Sequence, residues 1–173
     1  MRPGLFGREG GWGKGFMTKF DETMIQMEND PEIQKLRQFR QHGSSNTYDH
    51  CRSVARSADR LGRWLGWEVD GEELARGAML HDYYLYDTRD MTISDYQHGV
   101  KHPETALKNA VKLYELSEKE TNIIRSHMWP LTLFHVPKSR EAVLVCAADK
   151  AVATREFFHS GVQALKKRAQ LGA

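Results

Sequence analysis

The chain has 173 residues, of which 40% are hydrophobic and 28% charged, and both values are typical of a soluble globular domain with a core of its own. Its formal net charge of +2 is too close to neutral to favour a nucleic acid polymer or an anionic membrane as a partner. The two cysteines, Cys51 and Cys146, lack the CxxC spacing of redox and zinc motifs, and no apolar run is long enough to cross a membrane. We therefore expect a cytoplasmic protein with reduced thiols.

The first residues of the chain are rich in glycine and lack the apolar segment of a signal peptide. We predict that residues 1–17 form a flexible terminus and that residues 18–173 form a single helical domain. Asp30-Pro31 places an N-cap residue before a proline, which predicts a helix from there to about His42.

Two helices are predicted next. Asn46 or Thr47 caps a long helix that continues to about Leu65. Asp70 caps the following helix, which is expected to continue to Asp82.

The stretch from Tyr83 to Lys101 is rich in Tyr, Asp and Thr and has no clean hydrophobic period. We predict a long loop here, with or without a short helix, and loops of this length often border functional sites. The next helix is expected to open at His102-Pro103 and to continue to about Tyr114.

Three helices are predicted in the last third of the chain. Ser117-x-x-Glu120 is a capping box for a helix that reaches His127. Helices are then expected at about 139–157 and 161–171. No segment shows the alternation of a β-strand and no internal repeat is apparent, so we predict an all-α fold, a single helical bundle.

Six residues that could bind metal ions lie beside these helices, at intervals of about one helix plus one connection. A buried histidine is more often a core residue than a ligand, but several ionisable groups on inner faces of separate helices are hard to explain by packing. Imidazole and carboxylate together favour Fe, Mn, Zn, Co or Ni over Ca, and six ligands suffice for two cations. In chain order the six are His50, His81, Asp82, His102, His127 and Asp149.

The local sequences around these residues resemble a known family. The order His, His-Asp, Asp resembles the HD-domain superfamily of metal-dependent phosphohydrolases over about residues 44–157. Residues 102–106 and 126–130 occupy the places of two extra histidines in binuclear members, which include HD-type dinucleoside tetraphosphate hydrolases and cyclic-dinucleotide phosphodiesterases. The segments that carry the order are Asp49-His50-Cys51-Arg52-Ser53-Val54-Ala55, Gly77-Ala78-Met79-Leu80-His81-Asp82 and Ala147-Ala148-Asp149-Lys150.

The resemblance implies two metal positions that share the carboxylate of Asp82. It implies two divalent ions, with Fe or Mn preferred over Zn, Co, Ni or Mg, and a metal-bridging hydroxide that attacks phosphorus. By this resemblance the first position is held by His50, His81, Asp82 and Asp149, and the second by Asp82, His102 and His127.

The residues after the His-Asp pair depart from one branch of the family. Many binuclear phosphodiesterases have a lysine there, whereas this chain continues Tyr83-Tyr84-Leu85-Tyr86-Asp87, which argues against a cyclic-dinucleotide substrate. Asp87 and Arg89 could act as proton donor and phosphate clamp, or could be a solvated acid and base of a loop. His98 is the rival of His102 as a ligand, and His102 is preferred because its His-Pro sequence matches the family better.

Two residues near the proposed ligands could contact a substrate. Lys150 could reach a phosphate, with a surface lysine as the alternative interpretation. Trp129 could stack on a base, with a role in walling the core as the alternative.

The function expected from this pattern is hydrolysis of a phosphate ester or anhydride of a small, nucleotide-like molecule, with no nucleic acid polymer and no membrane as partner. The alternative is an HD-domain oxygenase with a mixed-valent di-iron pair, which shares the six-ligand order and acts on a small organic substrate. Such enzymes tend to have a lysine soon after the fourth histidine, whereas here His127 is followed by Met128-Trp129-Pro130-Leu131. A metal- or nucleotide-binding regulator without activity is a third class.

Overall fold

The computed structural model describes residues 17–41, 45–87 and 94–171. These residues form seven α-helices and no β-strand, which confirms the predicted all-α fold. The predicted flexible terminus, residues 1–17, lies outside the described residues except for Met17. The helices are α1 (Lys19–Asn29), α2 (Pro31–Gln34), α3 (Thr47–Leu65), α4 (Gly71–Leu80), α5 (Asp95–Ala110), α6 (Glu118–Ser126) and α7 (Arg140–Leu171).

The predicted starts of three helices are confirmed by their capping contacts. The side chain of Asn46 accepts a hydrogen bond from a backbone N–H of α3, and Asp70 does the same for α4. Ser117 and Glu120 form both hydrogen bonds of the predicted capping box at the start of α6. α1, which the sequence analysis did not assign, also begins with a capping box, formed by Thr18 with the third helical residue.

The helix predicted over residues 31–42 is wrong in its length. α2 is a single turn that continues as a 3-10 turn, Lys35–Gln38, and the helical backbone ends where Phe39 becomes extended (φ −103°, ψ 132°). The chain then reverses direction, and the backbone N–H of Gln41 donates to the carbonyl of Ser45 at 3.0 Å. Gln41 therefore lies outside the helix, next to the antiparallel bridge between Arg40 and Asn46.

The loop predicted over residues 83–101 is wrong in its second half. α5 begins earlier than expected because Ser94 caps it, accepting a hydrogen bond from the backbone N–H three residues on. The prediction placed the helix start at His102-Pro103, which in fact lies in the helix interior. Pro103 loses one helical hydrogen bond, and burial of the face that carries His102 and Ala106 keeps the helix intact.

The two helices predicted at 139–157 and 161–171 are one continuous helix, α7. Gly161 was expected to begin a new segment. It is exposed, and a glycine in an exposed helix costs only about 1 kcal/mol relative to alanine, too little to end a helix of good helix formers.

α4 lies at the centre of the bundle, in contact with α1, α3, α5, α6 and α7. α3 is the next best connected helix. It packs against α7 and α4, α4 packs against α1 and α6, and α6 packs against α5 and α7. None of the described helices is both long enough and apolar enough to cross a membrane.

The closest approach of α4 and α6 depends on Gly77. A Cβ atom at this position would lie 2.6 Å from Ile123 Cδ1 and 3.1 Å from Ile123 Cβ. We expect Gly77→Ala to lower the free energy of unfolding by up to about 2 kcal/mol, because overpacking costs about 1–3 kcal/mol and the helix propensity of alanine returns about 1 kcal/mol. Urea unfolding followed by circular dichroism measures the change.

Gly161→Ala is the matched control for this prediction. A Cβ atom at Gly161 would meet no atom within 4 Å, so the same substitution should raise the free energy of unfolding by up to about 1 kcal/mol. Equal stabilisation by both substitutions would contradict the close packing of Gly77 on α6.

Candidate metal centre

The six predicted ligands come from five helices or their ends, and the structure brings them together. Each is buried, with no more than 7% of its surface exposed. Two of the five positions follow directly after a helix, where the last carbonyl groups are free to accept side-chain hydrogen bonds. His50 lies in the first turn of α3, His81 and Asp82 follow α4, His102 lies within α5, His127 follows α6, and Asp149 lies within α7.

The first cluster of ligand atoms surrounds Asp149. Its Oδ1 lies 3.1 Å from His50 Nε2 and 3.8 Å from His81 Nε2. Asp82 Oδ2 completes the cluster at 3.5 Å from His81 Nε2 and 3.8 Å from His50 Nε2. Two imidazole nitrogens and two carboxylate oxygens therefore converge on one point.

The second cluster uses the other oxygen of the same carboxylate. Asp82 Oδ1 lies 3.1 Å from His102 Nε2 and 3.4 Å from His127 Nε2. The two ring nitrogens are only 2.7 Å apart. Asp82 therefore faces both clusters, with one oxygen towards each, which is the geometry that a ligand shared by two metal ions requires.

Contacts on the outer side of the four histidine rings determine which ring nitrogen points towards the cluster. Three Nδ1 atoms lie 2.7–3.0 Å from backbone carbonyl oxygens, and the Nδ1 atom of His50 lies 3.0 Å from Glu156 Oε2. Each Nδ1 can thus donate its hydrogen outward, so that a neutral ring presents the lone pair of Nε2 to the cluster. The three carbonyl contacts are His81 with Ala78, His102 with His98, and His127 with Ile124.

This arrangement fits divalent cations. The lone pairs of His102 Nε2 and His127 Nε2 face each other and Asp82 Oδ1, and acceptors at this distance repel unless a positive charge lies between them. His81 Nε2 and Asp82 Oδ1 are moreover buried without a hydrogen-bond partner, at a cost of about 1–3 kcal/mol for each such atom. A metal ion would satisfy these atoms. One ligand atom from each of His50, His81 and Asp82 lies within 4.8 Å of the other two, and the same holds for Asp82, His102 and His127.

The pKa values of the buried ligands determine how the affinity for a cation depends on pH. Burial would lower the pKa of His50, but hydrogen bonds to Asp149 and Glu156 outweigh burial and raise that pKa to about 10. Burial and the neighbouring His102 ring lower the pKa of His127 to about 3. Burial would raise the pKa of Asp149, but the bond to His50 holds it well below its usual range. A cation must displace the proton of His50, so affinity for metal should fall as the pH falls.

Gln41 is a site residue that the sequence analysis missed. Its Nε2 donates to Asp82 Oδ2 at 2.6 Å, and its Oε1 accepts a hydrogen bond from the hydroxyl of Tyr84. The tyrosine ring in turn packs edge-on against His102, with 5.7 Å between ring centroids. No spacing pattern could have revealed Gln41, because the sequence predicted a helix where the chain makes a turn.

His98, the rival of His102, lies beside the cluster. Its ring stacks on the His102 ring at 4.8 Å between centroids, and its carbonyl oxygen lies 3.0 Å from His102 Nδ1. The side chain of His98 hydrogen-bonds with the hydroxyl of Tyr86. The nitrogen that points at Asp82 belongs to His102, as the sequence analysis preferred.

The residues predicted to act on the substrate lie at varied distances from the cluster. Asp87 is partly exposed in the segment after the His-Asp pair, and Arg89 lies outside the described residues. The amine of Lys150 donates to the carbonyls of His127 at 2.8 Å and Cys146 at 3.2 Å, so it ties α7 to the end of α6.

Trp129 lines a groove on the outer side of α7. The groove has a volume of about 350 Å³ and also includes Val136, Val143 and Lys150. Trp129 is 40% exposed and therefore does not wall the core. None of the six candidate ligands lines this groove.

Comparison with known proteins agrees with this geometry. A family model described as HD domain matches residues 47–154, a stretch that contains all six candidate ligands. No curated protein and no solved structure matches the chain.

Proposed function

The chain belongs to the HD-domain family, and from this premise we propose that it is a metal-dependent phosphohydrolase of small, nucleotide-like phosphate esters or anhydrides. HD domains are generally metal-dependent hydrolases, and buried His and Asp groups that could hold metal ions are present here. The shared carboxylate of Asp82 carries the proposal, because a carboxylate between two imidazole clusters suits a pair of cations. A pair of cations can act on one phosphoryl group from two sides.

The proposed centre holds two cations, one in a position with four protein ligands and one in a position with three. Its cations are Fe or Mn by preference, with Zn, Co, Ni or Mg as further candidates. Such ions would lower the pKa of a coordinated water towards neutrality and offset the charge that develops on phosphoryl oxygens. The first position would be held by His50, His81, Asp82 and Asp149, and the second by Asp82, His102 and His127.

The residues of the chain would prepare this chemistry in three ways. The carbonyls that accept from the histidine rings hold each ring in the tautomer that offers Nε2. Gln41 holds the orientation of the Asp82 carboxylate through a 2.6 Å hydrogen bond. Burial of the histidine rings would strengthen electrostatic contacts to a charged substrate, because the local dielectric constant is low.

The groups that would touch the substrate belong to the proposal as well. Asp87 would donate the proton that the leaving group needs, and Arg89 would hold a phosphate. Lys150 would add a positive charge near the phosphate, and Trp129 would stack on a base.

A substrate panel tests the proposed reaction. We expect the Mn²⁺-loaded protein to hydrolyse at least one class among nucleoside mono-, di- and triphosphates, dinucleoside polyphosphates and cyclic dinucleotides, with release of phosphate, pyrophosphate or nucleotide products that chromatography separates. Addition of EDTA should abolish the release, because the reaction needs the cations. Oxygen consumption by the Fe-loaded protein, without hydrolysis of any compound in the panel, would favour the di-iron oxygenase instead.

A further inference from the structure

The carboxylate of Glu156 distinguishes one metal position from the other. Its Oε2 lies 3.0 Å from His50 Nδ1, on the opposite edge of the ring from the nitrogen that faces Asp149. The side chain of Glu156 is only 13% exposed, so solvent screens this contact weakly. The ring of His50 lies between Glu156 and the cluster, so Glu156 acts on the cluster only through His50.

We propose that Glu156 is a positioning residue that makes the metal position of His50, His81 and Asp149 the tighter of the two. This inference rests on the two-cation part of the proposed function and not on the reaction. A carboxylate that accepts the Nδ1 hydrogen fixes the ring and makes Nε2 a more basic ligand. The family match ends at residue 154, so the contact comes from a residue outside the matched stretch.

The continuity of α7 explains how Glu156 reaches His50. It follows Asp149 by seven residues, which is close to two helical turns and places both side chains on the same face. Val152, between them on this face, is buried. Because α7 continues without interruption to Leu171, residue 156 is held in helical geometry and is not at a frayed end.

Within the described part of the chain, the histidines of the second metal position have neutral acceptors where His50 has Glu156. The outer nitrogens of His102 and His127 lie against backbone carbonyls of His98 and Ile124, which are neutral acceptors. Its only carboxylate among the six candidate ligands is the shared Asp82. The first position has two further carboxylates, Asp149 beside His50 Nε2 and Glu156 on the far side of the His50 ring. Both negative charges favour a divalent cation there.

Calorimetric titration of Mn²⁺ into chelator-treated protein tests the inference. We expect two binding phases of different affinity in the wild type. Glu156→Gln keeps the size of the side chain and removes its charge, and should weaken the tighter phase about 10- to 100-fold while leaving the weaker phase unchanged. Glu22→Gln, on the exposed side of α1, removes the same charge and should change neither phase.

The outcomes separate a positioning role from a structural one. Equal weakening of both phases by Glu156→Gln, or no change in either, overturns the inference. If that variant does not fold, Glu156→Asp, which keeps the charge on a shorter side chain, should still weaken the tighter phase selectively. Wild-type protein that binds no metal contradicts both the inference and the two-cation proposal, whereas two cations without phosphate release contradict only the proposed reaction.

Discussion

Asp82→Ala should remove both cations from the protein and reduce phosphate release at least about a thousandfold. Each oxygen of this carboxylate faces a different cluster, at 3.1 Å from His102 Nε2 and 3.5 Å from His81 Nε2. Without it, the six candidate ligands are reduced to four imidazole rings and the carboxylate of Asp149. Charge stabilisation by metal ions is worth several kcal/mol, and each factor of ten in rate corresponds to about 1.4 kcal/mol.

Asp59→Ala is the matched control for Asp82→Ala. Asp59 is also buried, at 8% exposure, but its carboxylate pairs with Arg63 on the surface of α3. Its removal should lower stability modestly and leave metal content and phosphate release unchanged. Elemental analysis and a phosphate assay on both variants decide the matter, and an Asp82→Ala protein with two cations and full activity would refute the shared-ligand role.

His102→Ala should remove one cation and leave the other. The ring belongs only to the second cluster, so the first position keeps His50, His81, Asp82 and Asp149. Phosphate release should fall about a hundredfold or more, because one of the two cations that act on the phosphoryl group is lost. Elemental analysis should then give one metal ion per chain.

His98→Ala is the control that separates the two neighbouring histidines. His98 supports His102 through its backbone carbonyl, which alanine also provides, and otherwise through ring stacking. We therefore expect this variant to keep two cations and most of its activity. Loss of a cation from His98→Ala, with two retained by His102→Ala, would reverse the assignment of the ligand.

The sequence predicted the residues of the cluster better than it predicted the helices that hold them. Ligands at the start of α3 and at the ends of α4 and α6 follow clear caps, such as Asn46 and Ser117, so local signals placed them well. α5 was different, because His102-Pro103 has the form of a helix start. Its true start at Ser94 follows a segment without hydrophobic period, and burial of the α5 face decides its extent.

The residues that support the cluster depend on tertiary contacts and were harder to find. Gln41 reaches Asp82 because the chain reverses after Phe39, and nothing in the local sequence fixes that turn in space. Glu156 left a weak signal, since it lies seven residues after Asp149 on one helix face. That spacing is common between charged residues of exposed helices, so only the contact with His50 gives it meaning.

Stepwise metal addition tests the central proposal most directly. Hydrolysis of the best compound of the substrate panel is measured as Mn²⁺ is added to chelator-treated protein in fractions of an equivalent. If two cations act together, the rate should stay low through the first equivalent, rise through the second and reach a plateau at two per chain. A plateau at one equivalent, or no hydrolysis at any metal content, would contradict a two-metal phosphohydrolase.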